Sequence, residues 1–202
     1  MLQAGDYVCV FCGSRTPTNT NMVRDATELG EKLAANKLNL VYGGGGSGMM
    51  GLVASAANKA GSHVLGIIPS ALIRQEHNNS DIVETVVVTD MHTRKQKMNE
   101  RAAAFVILPG GFGTFEEFLE ITTWSLLSIH SKPIIVVNTD GFYDPMKILF
   151  QNAVEAGFIS EENKALVVFA NTIEETINAL HSYTAPTTRY KLDWSQTSTD
   201  LI

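Results

Sequence analysis

No apolar run in the 202-residue chain approaches the roughly 20 residues a membrane-crossing helix needs, so no membrane partner is expected. Positive charge is scarce as well: 15 Lys and Arg stand against 21 Asp and Glu, a formal net charge of −6. Generic attachment to nucleic acid depends on an excess of positive charge, so no nucleic-acid partner is expected either. Any anionic ligand must be held by local geometry instead. Cysteine is nearly absent. Cys9 and Cys12 form a C-x-x-C, but they lie in Tyr7-Val-Cys-Val-Phe-Cys12, where the alternation predicts a strand. Residues three apart on a strand point to opposite faces, and the five histidines are scattered. The pair is therefore read as reduced core cysteines rather than as a zinc or redox site. Met1 to Asp6 lack the charged head and long apolar stretch of a signal peptide, which makes the cytoplasm the expected compartment.

What is present is a repeating rhythm. With 45% hydrophobic and 18% charged residues, the chain has the composition of one compact α/β domain. Short β-rich runs at 7–12, 38–42, 63–68, 84–88, 105–108, 134–137 and 166–169 alternate with helical stretches. The helices are expected near 20–35, 49–60, 91–103, 114–129, 143–156 and 173–183. Several strands are continuous apolar runs, the mark of burial on both faces. Such alternation builds a parallel sheet with helices on both sides, a Rossmann-like, doubly wound fold over residues 1–183. Residues 184–202 are polar and aperiodic, and are expected as a loose tail.

In sheets of this kind ligands bind beyond the C-terminal strand ends. The segments expected there are Gly13-Ser14, the run Gly43 to Gly48, Thr89 to Lys95, and Pro109-Gly-Gly-Phe-Gly-Thr114. Glycine lets backbone approach a ligand closely, and a glycine loop that opens a helix offers free N–H groups and a positive dipole end to an anion. Two such loops at one edge point to a phosphate site, with Ser14, Gly45, Gly110, Gly111 and Gly113 as candidate contacts and Thr114 as the expected N-cap. Gly46-Ser-Gly-Met-Met-Gly51 is a literal G-x-G-x-x-G, but the dinucleotide fingerprint also wants a carboxylate about 20 residues on, where Ile67-Ile-Pro-Ser70 stands. No Gly-Lys-Ser/Thr follows the glycines, which excludes a Walker loop.

On the helix expected at 91–103, Met91, Arg94, Lys95, Met98 and Ala102 share one face, and an arginine among methionines needs a partner. Arg94 is read as facing an anion or substrate. On the helix expected at 114–129, Phe115, Phe118, Leu119, Thr122 and Leu126 form an apolar stripe expected on the sheet, with Glu116, Glu117 and Glu120 off it. Ile121, Trp124 and Leu127 occupy the opposite side, so either a second copy of the chain or crossing packing within the monomer covers them.

Met91-His-Thr-Arg-Lys95 followed by Pro109-Gly-Gly-Phe-Gly-Thr-Phe-Glu-Glu117 resembles the paired signature of the LONELY GUY family, cytokinin riboside 5′-monophosphate phosphoribohydrolases whose members have often been labelled lysine decarboxylases. The similarity runs from about Tyr7 to His181 and includes Lys132-Pro133 and Asn138-x-x-Gly-Phe-Tyr143. The resemblance implies hydrolysis of the N-glycosidic bond of a nucleoside 5′-monophosphate to free base and ribose 5-phosphate, without metal or redox cofactor, by a dimer or larger assembly. It assigns Arg94 and Glu117 to catalysis, and Glu76, Met91, Lys95, Gly110, Gly111, Gly113, Thr114, Glu116 and Thr122 to substrate contact. Phe112 stands where the family commonly has tyrosine. Two further readings stay open: a carrier of a phosphate-bearing ligand such as molybdenum cofactor, and a broad nucleotide nucleosidase acting on AMP and other monophosphates.

Overall fold

The computed structural model describes residues 2–73 and 84–194. Seven strands form one parallel sheet: β1 (Tyr7–Phe11), β2 (Asn39–Tyr42), β3 (Val64–Pro69), β4 (Glu84–Val88), β5 (Ala102–Ile107), β6 (Ile134–Val137) and β7 (Val168–Ala170). Their spatial order is β4-β3-β2-β1-β5-β6-β7. The chain winds outward in one direction from β1 and in the other from β5, so the two halves part between these neighbours. Helices α1 (Thr20–Ala35), α2 (Gly48–Lys59) and α7 (Ile173–Ser182) pack on one face. Helices α3 (Met91–Arg101), α4 (Phe112–Leu126) and α5 (Asp144–Glu155) pack on the other, and a single turn, α6 (Glu161–Lys164), follows α5. This is the expected doubly wound α/β fold.

Strand alternation divides the core between the two faces. Val8, Val10, Leu40, Tyr42 and Val106 point toward α1 and α2, while Cys9, Phe11, Val41, Phe105 and Ile107 point toward α3 and α4. Cys9 and Cys12 are buried and unbridged. Burial pushes the Cys9 thiol well up, and the negative charge of Glu117 adds to that push, so it stays protonated and inert. Helices α1 and α2 approach closely because Gly30 has no side chain: a Cβ there would lie 2.6 Å from the Val53 carbonyl oxygen.

Three expectations are corrected. Strand β5 starts at Ala102, immediately after α3, because Ala102 and Ala104 pair with Tyr7 and Val8 of β1, across a register shift at Ala103, instead of extending the helix. The buried stripe of α4 is Thr114, Glu117, Phe118, Ile121 and Ser125, whereas Leu119 is exposed. Counting apolar residues alone rotated that face and put Glu117 outside it. Finally, residues 184–194 are not loose. Arg189 Nη1 donates to the carbonyls of Ser125 (3.2 Å) and His130 (2.7 Å), Tyr190 N–H to Leu126 (3.0 Å), and Trp194 Nε1 to Leu127 (2.8 Å). The segment covers carbonyls at the end of α4 that the helix itself leaves without donors.

Candidate active site

The cleft lies where the sheet's winding reverses, beyond the ends of β1 and β5, the position at which open α/β sheets bind ligands. Its loops are knitted backbone to backbone. Gly13 N–H donates to the Pro109 carbonyl at 3.1 Å, and a Cβ on Gly110 would meet the Gly13 nitrogen at 2.9 Å and Thr114 Oγ1 at 2.1 Å. A third loop backs them: Gly48, at φ +61°, would place a Cβ 2.4 Å from the Ser14 carbonyl. The G-x-G-x-x-G run is thus explained by close packing under the first loop. Gly45, just before it, is buried without lining the cleft, and of the stretch Gly43 to Gly48 only Gly43 reaches it.

The cleft encloses about 300 Å³ and is bounded by Ser14, Gly43, Met50, Leu72 and Met91, by Arg94 and Glu117, and by Gly111 to Thr114. Helix α4 opens on it with Gly111 as N-cap, so the N–H groups of Phe112, Gly113 and Thr114 have no acceptor within the helix. Thr114 is buried inside the first turn and is not the N-cap; the extended backbone of Gly111 takes that place without a side chain intruding on the ligand edge. Free N–H groups together with the helix dipole favour an anion at this position. The ring of Phe112 stands at the rim, 92% exposed.

One turn along α4, Glu117 is buried and faces Arg94 of α3, also buried. Arg94 Nη2 and Glu117 Oε1 are 3.7 Å apart, too far for a hydrogen bond, and Arg94 Nε has no partner. The two form a buried ion pair just beyond hydrogen-bonding distance, with Arg94 Nη1 donating to Met91 Sδ at 3.6 Å and only the Nε donor unspent, an arrangement with capacity left for a ligand. Helix α3 is anchored for this by Asp90, whose side chain accepts from Thr93 N–H at 2.8 Å; that bond and two threonine hydroxyls hold its carboxyl down at about 2.

Lys95 takes a different role. Its ammonium bonds Glu116 and, at 3.0 Å, Glu120, clamping α3 to α4 on the outside of the cleft. It is the larger effect of these carboxylate bonds together, over the opposing cost of burial, that raises its pKa. Thr122 lies two turns away, its hydroxyl donating to the Phe118 carbonyl, beside a separate groove bounded by Phe158 and Tyr190. Glu76 lies outside the described residues. The structure therefore brings together Ser14, Met91, Arg94, Gly111, Gly113, Thr114 and Glu117, with Gly110 immediately behind. Gly43, Met50 and Leu72 are members that sequence reasoning missed. Gly43 carried a signal, being the residue that follows β2 directly; Met50 and Leu72 carried none.

No group of three or more His, Cys, Asp or Glu suited to a metal occurs among the described residues, and no helix among them is long and apolar enough to cross a membrane. Among the described residues none lining the cleft is a lysine, and Lys95 is bound by two carboxylates, so these residues do not suit a pyridoxal phosphate Schiff base.

Residues 50–180 match the family described as "Possible lysine decarboxylase". Among curated proteins, the chain is 43% identical over 176 residues to cytokinin riboside 5′-monophosphate phosphoribohydrolase LOG2 of Arabidopsis thaliana, covering 87% of this chain and 83% of that one. It is 45% identical over 173 residues to the probable enzyme of the same name, LOG4, of Oryza sativa subsp. japonica, covering 86% and 75%. Among solved structures, the molybdenum cofactor binding protein of Rippkaea orientalis superposes with a TM-score of 0.68 at 22% identity, over 88% of this chain and 96% of that one. The Moco carrier protein of Chlamydomonas reinhardtii does so with a TM-score of 0.66 at 21% identity, over the same shares. At such identities these two structures speak for the fold alone.

Proposed function

The chain belongs to the LONELY GUY family, and on that premise we propose that it hydrolyses the N-glycosidic bond of nucleoside 5′-monophosphates, cytokinin riboside 5′-monophosphates among them. The products are the free base and ribose 5-phosphate. The observation that carries this reading is the buried Arg94–Glu117 pair, held 3.7 Å apart one turn from an open helix N-terminus.

The chemistry follows from that arrangement. The N–H groups at the start of α4 receive the 5′-phosphate, so binding energy from the non-reacting end orients the ribose against Glu117. Breaking the C1′–N bond sends its electron pair to the base and leaves positive charge on the sugar. The Glu117 carboxylate stabilises that charge and takes a proton from the water that attacks C1′. Arg94 holds the nucleotide, and the proton that Glu117 takes from the water is passed on through solvent to the departing nitrogen, which leaves Glu117 a carboxylate again. A carrier has no use for a buried carboxylate beside its ligand, since the acid would repel a phosphate without compensation; Glu117 therefore favours the hydrolase.

The protein acts in the cytoplasm as a homodimer. Two unbridged thiols suit a reducing compartment. Exposed Leu119, Ile148, Leu149 and Phe158 on the α4–α5 side form apolar surface for a second copy to cover. Incubation with AMP, isopentenyladenosine monophosphate, GMP and CMP tests the activity. Free adenine-type base and ribose 5-phosphate in equal amounts are expected, and no release from any of the four contradicts the reading.

A further inference from the structure

Arg94 can face Glu117 only because of what is missing beneath it. Its guanidinium lies against Gly43, at the end of β2: a Cβ there would stand 2.0 Å from Nη2, 3.2 Å from Cζ and 3.0 Å from Met50 Sδ. Ordinary carbon–nitrogen contact begins near 3.4 Å, so the overlap with Nη2 exceeds one ångström. Nη2 is also the atom nearest Glu117. The backbone below has little room to yield. Strand β2 is hydrogen-bonded on both edges, to β1 and β3, and the next residue, Gly44, turns at φ +82° with its own Cβ position 3.0 Å from Ile68 Cβ. The guanidinium, at the end of a flexible side chain, is what must move.

We propose that Gly43 is a positioning residue for the Arg94–Glu117 pair, its missing side chain being the seat on which the guanidinium is held at the reacting centre. This deepens the hydrolase reading and rests on it for its kinetic consequence. The seat itself does not depend on that reading. Unlike Gly44, Gly43 does not have a positive φ, so alanine fits its backbone without strain and the substitution acts on Arg94 rather than on the turn. Gly44, which allows the turn, meets only Ile67 and Ile68, whereas Gly43 touches the guanidinium directly.

The test is a cycle of four proteins: wild type, Gly43→Ala, Arg94→Ala and the double variant, each measured for base release and for thermal melting. Gly43→Ala is expected to lower kcat by about 10²-fold with a smaller change in KM, as displacement of a catalytic group by about an ångström does. In the Arg94→Ala background the same substitution is expected to change activity less than about twofold and to shift the melting temperature little, because the guanidinium is gone and Met50 Sδ, on a flexible side chain, has only a few tenths of an ångström to give. Wild-type kcat for Gly43→Ala, or a loss of equal size with and without Arg94, overturns the proposal. If Gly43→Ala melts early, recovery of the Arg94→Ala melting temperature in the double variant supports the seat, and failure to recover it contradicts the seat. The melting cycle reads the contact whether or not any nucleotide is cleaved, so a wild type inactive on all substrates would refute the hydrolase without touching this result.

Discussion

The two ends of α4 are built to opposite purposes. At its C-terminal end nearly every spare carbonyl has a donor: Arg189 bridges Ser125 and His130, Tyr190 covers Leu126, Trp194 covers Leu127, and the His130 ring donates to Ile121 at 2.9 Å. At its N-terminal end three N–H groups open on a cleft, and a buried carboxylate faces a buried guanidinium without closing on it. Stability is invested at one end of the helix, and unspent interaction is kept at the other. The Lys95 clamp lies between them and fixes the spacing of α3 and α4 while the inner pair stays apart. The lesson is that one rigid element can serve both tasks when its anchoring and its chemistry are kept to opposite ends.

Substitutions should therefore separate activity from stability along the helix. Glu117→Gln keeps shape and hydrogen-bonding capacity but removes the charge. Base release is expected to fall by about 10³-fold while nucleotide binding, followed by calorimetry, and the melting temperature hold. Substantial melting-point loss with retained turnover would make Glu117 a structural acid and break the contrast.

The closed end should respond to acid instead. The His130 ring accepts from Lys132 N–H through Nδ1 and donates to Ile121 through Nε2, so the neutral form satisfies both nitrogens. Burial first, then the charge of Lys132, lower its pKa to about 4. The unfolded chain takes this proton near 6.5, so between about 6.5 and 4 it binds more protons than the folded one, and stability falls as pH falls through that window. The loss amounts to at most about 3 kcal/mol. Urea unfolding at pH 7, 5.5 and 4.5 is expected to show it, with a shallower slope for His130→Gln; equal slopes would remove His130 as the cause.

The smallest effect is expected from Arg189→Ala, which removes the guanidinium from the Ser125 and His130 carbonyls while Ser128 N–H still donates to Ser125 at 3.0 Å. A loss of about 1.5 kcal/mol, or roughly 3–6 °C in melting temperature, should accompany kcat within about twofold of wild type. A large kcat loss there would mean that the two ends are coupled.

Much of this was legible in the sequence, and unevenly. Ile134–Val137 reads as a strand with its observed bounds, because four β-branched residues between Lys132-Pro133 and Asn138 admit little else. The Pro109–Thr114 loop and Arg94 were found because glycine and a lone arginine amid apolar neighbours are informative residue types. The orientation of α4 was misread because its buried face carries Thr114, Glu117 and Ser125, and hydrophobic periodicity cannot see a polar residue that is buried. The docking of 184–194 was invisible for a related reason. Arg189 and Trp194 act by donating to carbonyls more than 50 residues away in the chain, and no local pattern records that. Gly43 was hidden among four consecutive glycines that differ only in what each one touches.

The most direct test of the central claim is a crystal structure of the Glu117→Gln protein soaked with AMP. The account predicts the phosphate on the N–H groups of Phe112 to Thr114 and the ribose C1′ between the side chains at 94 and 117, with the Arg94 guanidinium still lying on Gly43. A nucleotide bound away from the α4 N-terminus, with Arg94 and residue 117 closed on each other in an empty cleft, would contradict it.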